Sequence, residues 1–261
     1  MSFSIIYQAI KFNIHSHFAD PINLSLGVGT MFVNNIIAVS GSFFMYFGSQ
    51  AERNGDLLQY FFTLQAICLL GYASVQFVAS GLSHLGSFID DGSIESWMST
   101  PRSSLLLISI AETDITAIGD FLLGVIFTIF GSILWGPIFS INIIQAALIA
   151  ALGFSGTFII GGTLGFFLKR GGVLQEFLIF STISFSTQPS LPALTGKSRW
   201  LLLLSPALIT TVLPVETVLN AGFKQFLISW IIAIIFFIGS VQFYKFGSKY
   251  YQSANYLRHS R

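Results

Sequence analysis

From Phe121 to Leu168 no residue carries a charge. A helix crosses the roughly 30 Å of bilayer hydrocarbon with about 20 apolar residues, so this run is long enough for two crossings. Trp135-Gly136-Pro137 interrupts it, and Gly beside Pro marks a turn. The rest of the chain has the same character. Of 261 residues 53% are hydrophobic and 9% charged, and the mean hydropathy is +0.76. Soluble domains carry about a quarter charged residues. A chain this apolar is neither disordered nor an ordinary soluble enzyme. One cysteine, Cys68, excludes a disulfide scaffold and reads as a small buried hydrophobe. A net charge of +1 without a basic stripe gives no footprint for nucleic acid.

Charges mark the borders of the other spans. The first is expected near Asn23 to Phe47, the second from Leu57 to Leu82, the third ending near Leu134, and the fourth from Ser140 to Phe167. Val173 to Gln188 is a short fifth. Pro189 and Pro192 end it, and Pro206 and Pro214 flank or bend the apolar segment Trp200 to Leu213. Apolar runs of about 10–14 residues are more often re-entrant or interfacial than spanning. Residues 189–215 are therefore expected to dip into the outer leaflet as a re-entrant hairpin before a sixth span, Gln225 to Tyr244. Ser2 to Phe18 lacks the order of a secretory signal and mixes apolar with polar residues. Residues 1–20 read as a helix lying in the interface, with an early start of the first span as the alternative. The expectation is one all-α polytopic permease domain over 1–261 with six transmembrane helices.

Orientation follows the bias of Lys and Arg toward the cytoplasm. With both termini inside, Lys11, Arg102, Lys169, Arg170, Lys245, Lys249, Arg258 and Arg261 lie inside, against Arg53, Lys197, Arg199 and Lys224 outside. Eight against four selects this arrangement.

Two motifs invite other functions. Thr195-Gly196-Lys197-Ser198 resembles the end of a phosphate-binding loop, but Leu191 stands where its first glycine belongs. No ATPase is expected in these residues. Gly153-Phe154-Ser155-Gly156 resembles the serine motif of intramembrane rhomboid proteases. That chemistry needs a histidine to take the serine proton. The four histidines, His15, His17, His84 and His259, all fall at expected membrane edges. Close packing through small residues, continued by Gly161 and Gly165, is the better reading. No metal site is expected, since His15 and His17 lack a third ligand.

The loop 84–102 differs from the others. Asp90 and Asp91 precede Gly92, which suits a turn, and Glu95 favours a helix start. Ile94, Trp97 and Met98 recur at i, i+3, i+4 as one apolar stripe. Pro101 closes this short helix and suits the first position of the next. A cytoplasmic stripe flanked by acids is either a docking surface for a partner or a helix resting in lipid headgroups.

Ile89-Asp90-Asp91-Gly92-Ser-Ile94-Glu95-x-x-Met98-x-x-Pro101-x-x-x-Leu105 resembles the loop signature of ABC-2 type transporter permeases, closest to the viologen-exporter-like group. It departs at Glu95, where the family has Asp, and at Thr100, where it has Arg. Gly119 or Gly124 matches the glycine that follows. Pro189-Ser-Leu-Pro192, Trp200 to Pro206 and Leu213-Pro214-Val-Glu216 resemble the proline-rich segment before the last span. The resemblance implies a bacterial inner-membrane exporter subunit that performs no chemistry and binds no cofactor. A separate ABC ATPase would hold ATP and magnesium, and a second permease copy or paralogue would complete the pathway within membrane lipid. It implies further that Ile89, Asp90, Asp91, Gly92, Ile94, Glu95, Trp97, Met98, Pro101 and Arg102 form the ATPase-coupling site. In that role Gly92 makes the turn, Ile94 and Met98 the contact, and Pro101 the restart of the helix. Pro189, Pro192, Trp200, Pro206 and Pro214 would shape the exit gate.

Glu112, Asp114 and Asp120 precede the long uncharged run. On a continuous helix Glu112, Thr116 and Asp120 share one face and Asp114 lies opposite. They read either as an acidic vestibule for cationic substrates or as paired structural acids. A secondary transporter or channel using these acids is the alternative function.

Overall fold

The computed structural model describes residues 3–47, 55–101, 103–187, 205–220 and 222–251. All regular structure among them is helical. In chain order the helices are α1 (Phe3–Phe18), α2 (Pro21–Phe47), α3 (Gly55–Ala79), α4 (Leu85–Asp90), α5 (Ile94–Met98), α6 (Ser104–Ser109), α7 (Ala117–Trp135), α8 (Pro137–Thr163), α9 (Gly171–Thr187), α10 (Leu213–Asn220) and α11 (Phe223–Gly247). A π-helical turn, Leu208–Val212, leads into α10.

Among the described residues five helical stretches are long and apolar enough to cross a membrane: Pro21–Phe44, Leu57–Asp90, Ala117–Trp135, Pro137–Phe166 and Phe223–Tyr250. The chain is a multi-pass membrane protein. Helix α9, with 17 residues, is about 26 Å long and falls just short of that length. The expected turn between the third and fourth spans is present. Gly136 adopts φ +91°, where a side chain would strain, and Pro137 opens α8.

Helices α3 and α8 form the centre. α3 packs on α7 and α8, and α8 also receives α9, α10 and α11. Helix α2 joins the bundle mainly along α7, with Phe43 and Phe47 meeting Phe61 of α3, and exposes Ile22, Leu26, Val33 and Ile37. The outward faces of α7 and α11 are apolar too, with Ile129, Ile133, Ile231 and Ile235 exposed. Lipid tails are as apolar as these side chains, so such faces cost nothing in a membrane. Close contact between helices must then come from small residues. A Cβ on Gly71 would stand 2.8 Å from Ala150 Cβ and 3.2 Å from the Ala147 carbonyl oxygen. Gly153 lies against Thr210, Gly156 against Phe236 and Gly162 against Leu85. The motif around Ser155 is therefore a packing seam on α8. Cys68 is buried, as expected.

Three expectations need correction. Residues 110–116 are not helical, because the chain leaves α6 after Ser109 and re-enters a helix only at Ala117. Glu112, Thr116 and Asp120 thus share no helical face. Pro101 does not open the next helix, since α6 starts at Ser104 after an extended Ser103. The helix expected to end at Leu213 instead runs to Asn220 with Pro214 inside it. Proline has no N–H to donate to the carbonyl of residue 210. The wide turn Leu208–Val212 sits over that missing bond. Pro189, Pro192, Trp200 and Arg102 lie outside the described residues.

Gly71→Leu is expected to overpack the α3–α8 contact at a cost of about 1–3 kcal/mol. Gly239→Ala has open space at its Cβ and is expected to leave stability unchanged or raised. Melting of both variants in detergent, followed by size-exclusion fluorescence, separates the two outcomes.

Candidate functional site

The connection from Ser80 to Thr116 forms a folded cap at one end of the bundle. Its anchors are apolar: Leu85, Ile89, Ile94 and Ile108 are all buried. Gly81 lies so close to the Ile108 carbonyl that no side chain fits there. Gly92, at φ +81°, turns the chain between α4 and α5. Asp91 Oδ1 accepts the Ser93 N–H at 2.8 Å and holds that turn. The Phe88 and Trp97 rings meet edge to face at 4.8 Å.

This arrangement changes the role expected for the apolar stripe. Ile94 is fully buried, so it cannot be a contact residue for a partner. Trp97 and Met98 are partly buried and pack against the core. The exposed side of α4 and α5 instead carries Ser87, Asp91, Ser93, Ser96 and Ser99. A five-residue helix has one apolar side, and the protein beneath it takes that side.

Polar contacts fasten the cap to the long helices. Asp90 accepts the N–H groups of Gly171 at 2.9 Å and Gly172 at 2.8 Å. A carboxylate is placed there against the positive end of α9, satisfying two donors that a helix start leaves open. Gly86 and Gly172 permit the approach: a Cβ on Gly86 would stand 2.8 Å from Gly171 and Gly172 backbone atoms. Gln175, one turn into α9, is buried and makes three bonds. Its Nε2 donates to the carbonyls of Leu82 at 2.7 Å and Phe158 at 2.9 Å, and its Oε1 accepts the Gly86 N–H at 2.6 Å. One carboxamide thus joins α3's end, α4, α8 and α9. The Tyr251 hydroxyl donates to Glu95 at 3.1 Å, and Ser104 shares a hydrogen bond of 2.9 Å with Tyr244. These two contacts bring the last span to the same cap. From the other side Asn13 of α1 donates to the carbonyls of Ile110 and Ala111 at 3.2 and 3.3 Å.

The acids of the expected vestibule do not converge. Glu112 pairs with His84 at the surface. Asp114 accepts the Thr116 N–H and hydroxyl and holds the start of α7. Asp120 is buried against Asn35 of α2. Each carboxylate has its own local partner. Among the described residues no group of three His, Cys, Asp or Glu side chains is placed to hold a metal.

At the far side of α9, Ser186 and Thr210 share a hydrogen bond of 2.8 Å. Thr210 also rests on Gly153, in the middle of α8. The π turn before α10 therefore starts at mid-depth in the bundle, and Pro206 immediately precedes it. Sequence reasoning missed Gln175, Gly171–Gly172, Gly86 and Asn13. A carboxamide beside Glu176 early in a short apolar helix and a Gly-Gly pair at its start were the available signals.

Gln175→Leu strands the Gly86 N–H and the Leu82 carbonyl at the joint. The expected loss is about 2–4 kcal/mol, read as a lowered melting temperature in detergent. Gln175→Glu, which turns a carboxylate oxygen toward the Leu82 and Phe158 carbonyls, is expected to lose at least as much.

Comparison with curated proteins and with solved structures finds no match. A family model described as ABC-2 family transporter protein matches residues 55–255, from the start of α3 past the end of α11. That span covers the folded cap and every helix fastened to it except α1. By this match the chain belongs to the ABC-2 transporter family.

Proposed function

We propose that the chain is the transmembrane permease subunit of an ATP-driven exporter and that residues 84–102 are its coupling element. The observation that carries this reading is the fastening of the cap to four long helices. A push on α4 or α5 reaches α9 through Asp90 and Gln175, α3 and α8 through Gln175, and α11 through Glu95 and Tyr251. A passive connecting loop would need no such set of buried bonds. Its exposed hydroxyls and Asp91 form the contact face, in place of the apolar stripe. The partner is a separate ABC ATPase subunit that binds ATP and magnesium. A second permease copy or paralogue completes the pathway in the bacterial inner membrane. This chain contributes positioning and movement, and no chemistry.

In this reading α9 makes the fifth of six crossings, and the cap, α1 and the C-terminal end of α11 face the cytoplasm. The π turn and α10 are the returning half of a re-entrant hairpin. Irregular backbone at that depth is tolerable where it is buried in protein. Thr210 and Thr211 are fully buried there and donate to backbone carbonyls one turn earlier.

Two experiments test the proposal. Cys68 is buried, so a Cys68→Ala background with Ser96→Cys offers one exposed thiol. A membrane-impermeant maleimide is expected to label it in inside-out vesicles only, and a co-expressed ATPase is expected to block the labelling. Labelling from the outer face overturns the orientation, and labelling unaffected by an ATPase that co-purifies overturns the coupling site. Asp90→Ala is expected to leave the ATPase bound while lowering ATP-driven transport at least about tenfold, the effect of a weakened link rather than lost docking.

A further inference from the structure

A second surface lies beside the cap and shares Asp90 and Tyr251 with it. The end of α4, the chain between α8 and α9 and the end of α11 enclose an open cavity of about 630 Å³. Its walls include Asp90, Phe167, Lys169, Arg170, Tyr250 and Tyr251. Lys169 and Arg170 are exposed, and so are Lys245 and Lys249 on the adjoining end of α11. The carboxylates nearest the cavity are already engaged. Asp90 accepts two backbone N–H groups, and Glu95 accepts the Tyr251 hydroxyl. The start of α9 is likewise closed by Asp90 and offers no anion site of its own. Both carboxylates keep their charge, and the four cations Lys169, Arg170, Lys245 and Lys249 outnumber them around the cavity.

The rim is aromatic. Phe167, Phe246 and Tyr250 are exposed and form a ring cluster, with centroids 5.7 Å apart for Phe167–Tyr250 and 5.0 Å for Phe246–Tyr250. From this rim the exposed face of α11 continues as Ile238, Ile235 and Ile231 into the apolar zone. Cations at the mouth, aromatic rings beside them and an aliphatic track leading away match the three layers of a phospholipid: phosphate, glycerol backbone and acyl chain. A soluble anion would use the cations and gain nothing from the rings or the track.

We propose that this cavity binds the headgroup of an anionic phospholipid, with Lys169 and Arg170 on the phosphate and an acyl chain along α11. The site ties lipid to the joint between α8 and α9, next to the residues that hold the cap. It rests on the membrane location of the chain and does not require the ATPase.

The test uses the full chain purified in a non-ionic detergent without any partner. Phosphatidylglycerol, phosphatidylcholine and inorganic phosphate are titrated separately, and binding is read by native mass spectrometry with melting as a second measure. Phosphatidylglycerol alone is expected to bind and to raise the melting temperature. Lys169→Gln with Arg170→Gly is expected to weaken it about thirtyfold, and Arg170→Gly alone about fivefold. Arg170 sits at φ +67°, a conformation glycine adopts freely, so the single variant keeps the fold and carries the test if the double variant does not. Lys224→Gln, at the opposite end of α11, is expected to bind like wild type. Equal binding of phosphatidylcholine, equal protection by inorganic phosphate, undiminished binding by Arg170→Gly, or an equal loss in Lys224→Gln would each overturn the proposal.

Discussion

One buried carboxamide holds the cap to the spans. In a hydrocarbon surrounding, an unpaired N–H or carbonyl costs several kcal/mol. Gln175 meets that constraint at a point where three helices end or pass. It accepts the first free N–H of α4 and donates to the carbonyls of Leu82 and Phe158. None of these groups has an alternative in lipid. The position of α4 relative to α3, α8 and α9 is therefore set by hydrogen-bond satisfaction, while apolar area merely fills the space around it. Asp90 adds a second constraint of the same kind at the start of α9.

The glycines supply what the hydrophobic effect cannot supply between helices already in lipid. Gly71, Gly153, Gly156 and Gly162 let α3, the π turn, α11 and α4 approach α8 closely. Dispersion between closely packed atoms then adds up over the seam. This explains why α8, rather than the more apolar α11, occupies the centre. Helix α11 has apolar side chains on nearly all sides and has no reason to prefer protein over lipid.

Much of this was legible in the amino-acid order, and the parts that were not share a cause. Uncharged runs located α2, α3, α7, α8 and α11, because crossing length is a one-dimensional property. Gly136-Pro137 located the turn between α7 and α8, because it rests on local backbone geometry. Gly92 was legible for the same reason. The direction of the Ile94–Trp97–Met98 stripe was not. Periodicity finds an apolar side and does not say whether protein, lipid or a partner covers it. The acids before α7 misled for a related reason. Their spacing suits a shared face only if the backbone between them is helical, and Asp114 uses its carboxylate to start α7 at Ala117 instead. Gln175 stood visible as an amide beside Glu176, but its three partners are separated from it by up to 93 positions.

The inward turn of the stripe has a mechanical consequence. A cap that kept Ile94 and Trp97 for a partner would rest on the bundle through fewer apolar anchors, Leu85, Ile89 and Ile108. With Ile94 buried and the Phe88 ring edge to face with Trp97, compression of the cap meets close-packed side chains. The face left outside, Ser87, Asp91, Ser93, Ser96 and Ser99, is short, mostly hydroxyl and readily hydrated. In the proposed coupling role such a face forms and releases contacts at small desolvation cost. That role would draw stiffness and weak, reversible contact from opposite sides of the same few residues.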